Sequence, residues 1–163
     1  MRLTMRTNLA MRTLMFCAVN QDRLVRKAEV ARSCNASENH LGHVIVTLAQ
    51  AGYIKTSRGR NGGLELSRSA SDIDIGNVIR DLESGVPFAE CFDGAENHCP
   101  LKEVCRLRGV LENALEAFYT AMAGISLADL VDDNTGLCAL LNLSSAMQDS
   151  AEPCPTRLAH LGA

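Results

Sequence analysis

Apolar residues in the first third of the chain recur at helical spacing. Leu9, Met11, Leu14, Met15 and Ala18 mark a first helix within residues 8–20. In "LVRKAEVARSC", Leu24, Ala28, Val30 and Ala31 predict a second. Asn35 ends it, because asparagine tolerates the left-handed backbone of a helix terminus. Ser37 is a good N-cap for a third helix, in which Leu41, Val44, Ile45 and Leu48 stand at i, i+3, i+4 and i+7 and which Gly52 closes. Two short helices joined by a turn of a few residues are the pattern of a helix-turn-helix.

The period then changes. Tyr53–Thr56 and Leu64–Leu66 read as short strands around "SRGRNGG", where Asn61-Gly62 is a strong hairpin signal because both residues accept positive φ. A hairpin directly after a helix-turn-helix is a wing. Another helix follows at "IGNVIRDLESG" with Asp74 as its cap, and Cys91–Pro100 reads as a loop. From Leu101 to about Ala123, an apolar stripe of Val104, Leu107, Val110, Leu111, Ala114, Leu115, Phe118 and Met122 predicts a helix too long for a small domain to cover. Packing on a partner chain and packing within one chain both fit that stripe. Ser126 and Asp129 form a capping box for a short helix, and residues beyond Leu143 read as a flexible tail. The fold class is therefore mainly α with a small β-hairpin wing. Residues 1–84 form a winged helix-turn-helix, 85–100 a loop, 101–143 the long helix with shorter C-terminal ones, and 144–163 a tail.

Charge divides the chain unevenly. Residues 1–80 hold twelve Lys and Arg against six Asp and Glu, whereas the remainder holds four against thirteen. The basic part is the candidate for a polyanionic partner. A third helix that enters a major groove by its N-terminal end would present Ser37, Glu38, Asn39, His40, His43 and Thr47. Asn39 and His40 can hydrogen-bond base edges or phosphates, Ser37 can contact a phosphate, and Arg58 and Arg60 at the wing tip can reach a minor groove. With 4% aromatic residues and no Trp, a base-stacking single-strand binder is a poor fit. No Ser/His/Asp or acid/base constellation suggests an enzyme. No apolar run approaches a bilayer span, and no signal peptide is evident, so a cytoplasmic protein is expected.

Seven cysteines are an odd number, and three of them fall in "ECFDGAENHCPLKEVC" with the spacing C-x7-C-x5-C. In a reducing compartment a thiol cluster points to metal or redox chemistry rather than disulfides. Soft thiolates suit iron–sulfur clusters and zinc alike. Neither gap matches the C-x2–4-C of structural zinc, although His98 could complete a Cys3His set. Unligated packing is the third reading. Cys17, Cys34 and Cys138 lie on apolar faces and read as core residues, and Cys154 in the tail as incidental.

Together "MRLT", "GYIKTSRGRNGGLELSR" and "CPLKEVCRLRGVL" resemble the IscR/NsrR/RirA (Rrf-two) family of winged-helix regulators, over about residues 1–143. The resemblance implies a homodimeric repressor held by the long helix, bound to a partly palindromic double-stranded DNA operator. It implies one iron–sulfur cluster per subunit, 4Fe-4S ahead of 2Fe-2S, on Cys91, Cys99 and Cys105. "IGNVIRDLE" and "LADLVDDNTGLCALL" are similar to NsrR, which nitric oxide relieves, whereas "FAECFDGAENHCPL" is similar to RirA, which responds to iron. Many NsrR sequences carry Asp where this chain has Asn8, supplied as a fourth ligand from the other subunit; RirA-type sequences have Asn. Water, Glu90, Asp93 and His98 are further candidates for that position. A nitric-oxide-sensing repressor is the first expectation, an iron-responsive repressor the second, and an electron-transfer iron–sulfur protein the alternative of another class.

Overall fold

Thr4 opens the first helix, α1 (Met5–Val19), by accepting a hydrogen bond from the Thr7 N–H through its side chain (3.1 Å). The computed structural model describes residues 3–60, 62–93 and 97–141; Asn61, Cys154 and the tail from residue 144 lie outside the described residues. Nine of the fifteen residues of α1 are buried, so it is wrapped on most sides rather than lying on a surface. That explains why its apolar pattern is broad. Thr13 is also enclosed, and its hydroxyl is satisfied by the Leu9 carbonyl at 2.8 Å.

Helices α2 (Lys27–Ser33) and α3 (Glu38–Gln50) pack on α1 and on each other. Asn35 adopts φ +49° in the turn between them, and Gly52 φ +76° after α3, as the sequence expects of both. Strands β1 (Ile54–Ser57) and β2 (Gly63–Leu66) pair antiparallel, with Ile54 opposite Leu66 and Ser57 opposite Gly63. The wing is not an isolated hairpin. Val25 bridges Leu64 through two backbone hydrogen bonds (3.0 and 2.8 Å), which ties the wing base to the segment before α2. A Cβ on Gly63 would sit 2.7 Å from the Val25 carbonyl oxygen, so only glycine allows that approach.

Asp74 caps α4 (Ile75–Glu83) by accepting the Asn77 N–H at 2.8 Å, as its position suggests. Its other oxygen accepts the Gly124 N–H at 2.7 Å, which pins the turn that follows α5 (Arg106–Met122). Helices α6 (Leu127–Val131) and α7 (Thr135–Leu141) return to α1, and Leu127, Val131 and Cys138 join one core with Leu14, Phe16, Leu41, Leu48 and Ile73.

The long helix is shorter than its apolar stripe. It begins at Arg106 rather than Leu101. The Lys102 N–H donates to the Cys99 carbonyl (3.3 Å) and the Val104 N–H to that of Leu101 (3.0 Å), both tight-turn bonds, and Cys105 is extended (φ −76°, ψ 107°). An extended residue cannot pass i→i+3 turns into an i→i+4 ladder, so the helix restarts after it. No residue of α5 is buried, and Leu107 and Val110 are 60% and 62% exposed. Arg80 of α4 holds α5 from below, pairing with Glu116 (3.1 Å) and lying 4.2 Å from the centre of the Tyr119 ring.

In the same last turn of α4, Glu83 fixes the start of α1. It accepts the Thr4 N–H (2.9 Å) and hydroxyl (3.0 Å). Partial burial disfavours its ionised form, but the hydrogen bonds from Thr7 and Thr4 and the charge of Arg6 outweigh burial and hold its carboxyl below the ordinary value of 4.5. A lowered folded value means that the stabilisation is complete above the ordinary value and disappears as acid carries the pH down through the lowered one. Glu83→Gln is expected to cost about 1.5–3 kcal/mol near neutrality. Thermal unfolding against pH checks this: the wild-type and variant curves should converge in acid, and a constant gap would refute the assignment.

Candidate DNA-reading surface and cysteine loop

The Ser37 side chain accepts the His40 N–H (3.2 Å), which sets the first turn of α3. Leu41, Val44, Ile45 and Leu48 are buried against the body, and Ser37, Glu38, Asn39, His40 and His43 are exposed as the pattern suggests. Thr47 differs. It is only partly exposed, and its hydroxyl donates to the His43 carbonyl (3.1 Å) within the same helix, so it is less available than the other five. The outermost strip of α3 instead runs Asn39, His43, Val46 and Gln50, at i, i+4, i+7 and i+11, and all four are exposed. Sequence reasoning passed over Val46 and Gln50, although the spacing from Asn39 was the signal. Lys27 of α2 pairs with Glu38 (3.4 Å), a surface bridge across the helix-turn-helix.

On the wing, Arg58 and Arg60 are exposed, and neither forms an ion pair among the described residues. Gly59 takes φ +104°, and the Gly62 N–H donates to its carbonyl (3.0 Å). Two unneutralised guanidinium groups on a narrow hairpin beside an exposed helix face are suited to phosphates and a groove edge.

Cys91, Cys99 and Cys105 are free, half-buried thiols on the segment that joins α4 to α5. Cys91 sits in a single 3-10 turn, Glu90–Phe92, Cys99 donates its N–H to the Asn97 side chain (3.1 Å), and Cys105 occupies the N-cap position of α5 without a side-chain capping bond. The Glu90 carboxylate accepts the His98 N–H (2.9 Å) and so closes the loop on itself. The three sulfurs do not converge: among the described residues no three His, Cys, Asp or Glu side chains are grouped as a metal site. Cys17, Cys34 and Cys138 are buried, as expected of core residues. Burial, with Cys34 nearby, pushes the Cys17 thiol up to about 12, which keeps it protonated and a poor ligand.

Asn8 is exposed on α1 and lies far from these cysteines in sequence. It lines a cleft of about 320 Å³ with Arg12, Cys34, Ser37 and His40, so it shares a wall with the first turn of α3. The start of α1 faces the other way as well. Leu3 and Thr4 line a second cleft of about 400 Å³ with Phe88, Phe92, Leu115 and Tyr119, next to Cys91. Residues 3–12 thus line both clefts, one beside Phe88 and Phe92 and the other beside the first turn of α3.

The helix pair, the Arg-tipped wing and the exposed face of α3 define a winged helix-turn-helix transcription regulator. The chain belongs to the Rrf2 family, described as iron-dependent transcriptional regulators, whose model matches residues 3–133. It is 40% identical over 148 residues to protein aau3 of Rhizobium meliloti, covering 91% of this chain and 96% of that protein. It is 40% identical over 142 residues to the HTH-type transcriptional regulator NsrR of Geobacillus kaustophilus, covering 86% and 97% respectively. The NsrR of Bacillus subtilis is 38% identical over 144 residues. Among solved structures, T. potens IscR superposes with a TM-score of 0.60 at 22% identity and covers 94% of each chain, which supports the fold. The protein is a DNA-binding transcriptional regulator and not an enzyme. No helix among the described residues is long and apolar enough to cross a membrane.

Proposed function

We propose that this chain is a homodimeric repressor whose hold on a partly palindromic operator depends on an iron–sulfur cluster carried by Cys91, Cys99 and Cys105. The carrying observation is a contrast in exposure among the cysteines. The thiols of Cys91, Cys99 and Cys105 are half-buried on one loop, whereas the side chains of Cys17, Cys34 and Cys138 are enclosed in the core. The donor set fits a soft cluster, and the wide spacing leaves the loop free to close around it. Because the three sulfurs stand apart in this structure, holding all three requires the loop to rearrange. One cluster per subunit, 4Fe-4S in the first instance, would offer an iron that lacks a thiolate and is open to a small neutral ligand or to loss.

The residues of the chain supply the route from loop to DNA. Closing the loop would shift Phe88 and Phe92, which line a cleft with Leu3 and Thr4 just ahead of α1, while Asn8 and Arg12 within α1 line another with Ser37 and His40. A change at the loop thus biases the reading helix through one rigid element. Asn8 also stands where the NsrR resemblance has the other subunit's fourth ligand, and its neutral amide is a weaker donor than a carboxylate.

The signal is nitric oxide in the first reading, supported by the relatives that carry the name NsrR. Iron is the second, favoured by Asn8 and by the family description as iron-dependent. Anaerobically reconstituted protein titrated with nitric oxide or with an iron chelator, with operator binding followed in parallel, separates them. Release by stoichiometric nitric oxide supports the first reading, and release by chelator alone the second. Equal operator affinity with and without the cluster would overturn both.

A further inference from the structure

We infer that Val46, with the bare backbone of Gly42 beneath it, reads the 5-methyl group of a thymine in the major groove. The inference rests on the DNA-binding reading and deepens it. Val46 lies on the outermost strip of α3 between His43 and Gln50 and is 54% exposed. An isopropyl group makes no hydrogen bond, and a β-branched residue is not a strong helix former, so neither solubility nor helix propensity accounts for it at this position.

Gly42 stands one turn earlier on the same side. Glycine is poorly suited to a helix interior. Packing within the chain does not require it either, because a Cβ built there would meet nothing within 4 Å. A helical side chain leans over the turn N-terminal to its own Cα, so Val46 leans toward the vacancy that Gly42 leaves. The pair forms a shallow apolar hollow bordered by Asn39 and His43, which can hydrogen-bond base edges. Val46 and Gln50 also line the cleft of about 480 Å³ between α3 and the wing, together with Lys27, Thr56 and Ser57. A DNA strand contacted by both helix and wing would pass along that cleft. The apolar group that a major groove offers to such a hollow is the thymine methyl.

The test uses the full chain, apo or cluster-reconstituted, whichever form retains a duplex selected from a randomised pool. Each thymine of that duplex is replaced in turn by deoxyuridine, which deletes only the methyl. At one thymine per half-site, wild-type affinity should fall about fourfold, the effect of exposing one buried methyl or methylene. Val46→Ala should bind the thymine duplex more weakly and lose nothing further on the uracil duplex. Gly42→Ala, which fills the hollow, should weaken binding to the thymine duplex while its thermal midpoint stays level or rises. Indifference of the wild type to every deoxyuridine, or equal losses for wild type and Val46→Ala, would overturn the inference. A pool that yields no enriched sequence would remove the DNA reading itself, and this inference with it.

Discussion

Cys99→Ser is expected to give a protein that folds normally, stays colourless after anaerobic reconstitution, and binds its operator about a thousandfold more weakly. The last figure is the lower end of the gap between specific and non-specific DNA binding. Cys99 lies at the middle of the thiol series on a half-buried loop and makes no contribution to the core, so thermal unfolding of the apo protein should be almost unchanged. Serine oxygen is a hard donor and cannot replace a thiolate toward iron and sulfide. Absorption after reconstitution and operator affinity are the two readouts. A variant that retains the absorption, or one that loses it and binds as before, would count against the cysteine loop as the sensing element.

A second large effect is expected on α5. Replacing Leu107 and Val110 together with glutamate places two carboxylates in an exposed apolar stripe in which no residue is buried within the single chain. If two such stripes pack together, the charges must be desolvated at the contact, and association fails. The double variant should sediment as a monomer with an unaltered circular dichroism spectrum. On a two-half-site operator its affinity should drop about a hundred- to ten-thousandfold, the gain that linked binding supplies. A variant that remains dimeric would show that α5 is not the interface.

Much of this architecture could be read from residue pattern alone, for identifiable reasons. Ser37, Asp74 and the Ser126–Asp129 box are short-range signals: each side chain bonds a backbone N–H three residues on, and each cap formed where its residue type indicated. Asn35 took the left-handed backbone that its short amide side chain tolerates, and Gly52 the one that the lack of a Cβ permits. The start of α5 was less legible. The apolar stripe runs through Leu101 and Val104, but periodicity does not register an extended residue such as Cys105. Thr47 is less exposed than its place in the pattern suggests: its hydroxyl could be seen in the sequence and the carbonyl it bonds could not. The position of Asn8 beside His40 was illegible for a different reason. It depends on how α1 crosses the helix pair, a tertiary relation with no local signature. The cysteine spacing marked a candidate donor set but not whether the sulfurs meet, since a loop has no period from which geometry can be inferred.

Asp74 carries a consequence for the operator. One of its oxygens caps α4 and the other holds Gly124 immediately beyond α5, while Arg80 clamps α5 through Glu116. The long helix is therefore fastened to the reading body at two places. In a dimer built on α5, the two reading heads become the jaws of a caliper set to one opening. Such a caliper measures the distance and rotation between half-sites, so one added base pair should be rejected even where every contacted base is correct. Part of the specificity of such a dimer would then be a length set by a carboxylate that caps a helix, rather than by a contact to a base.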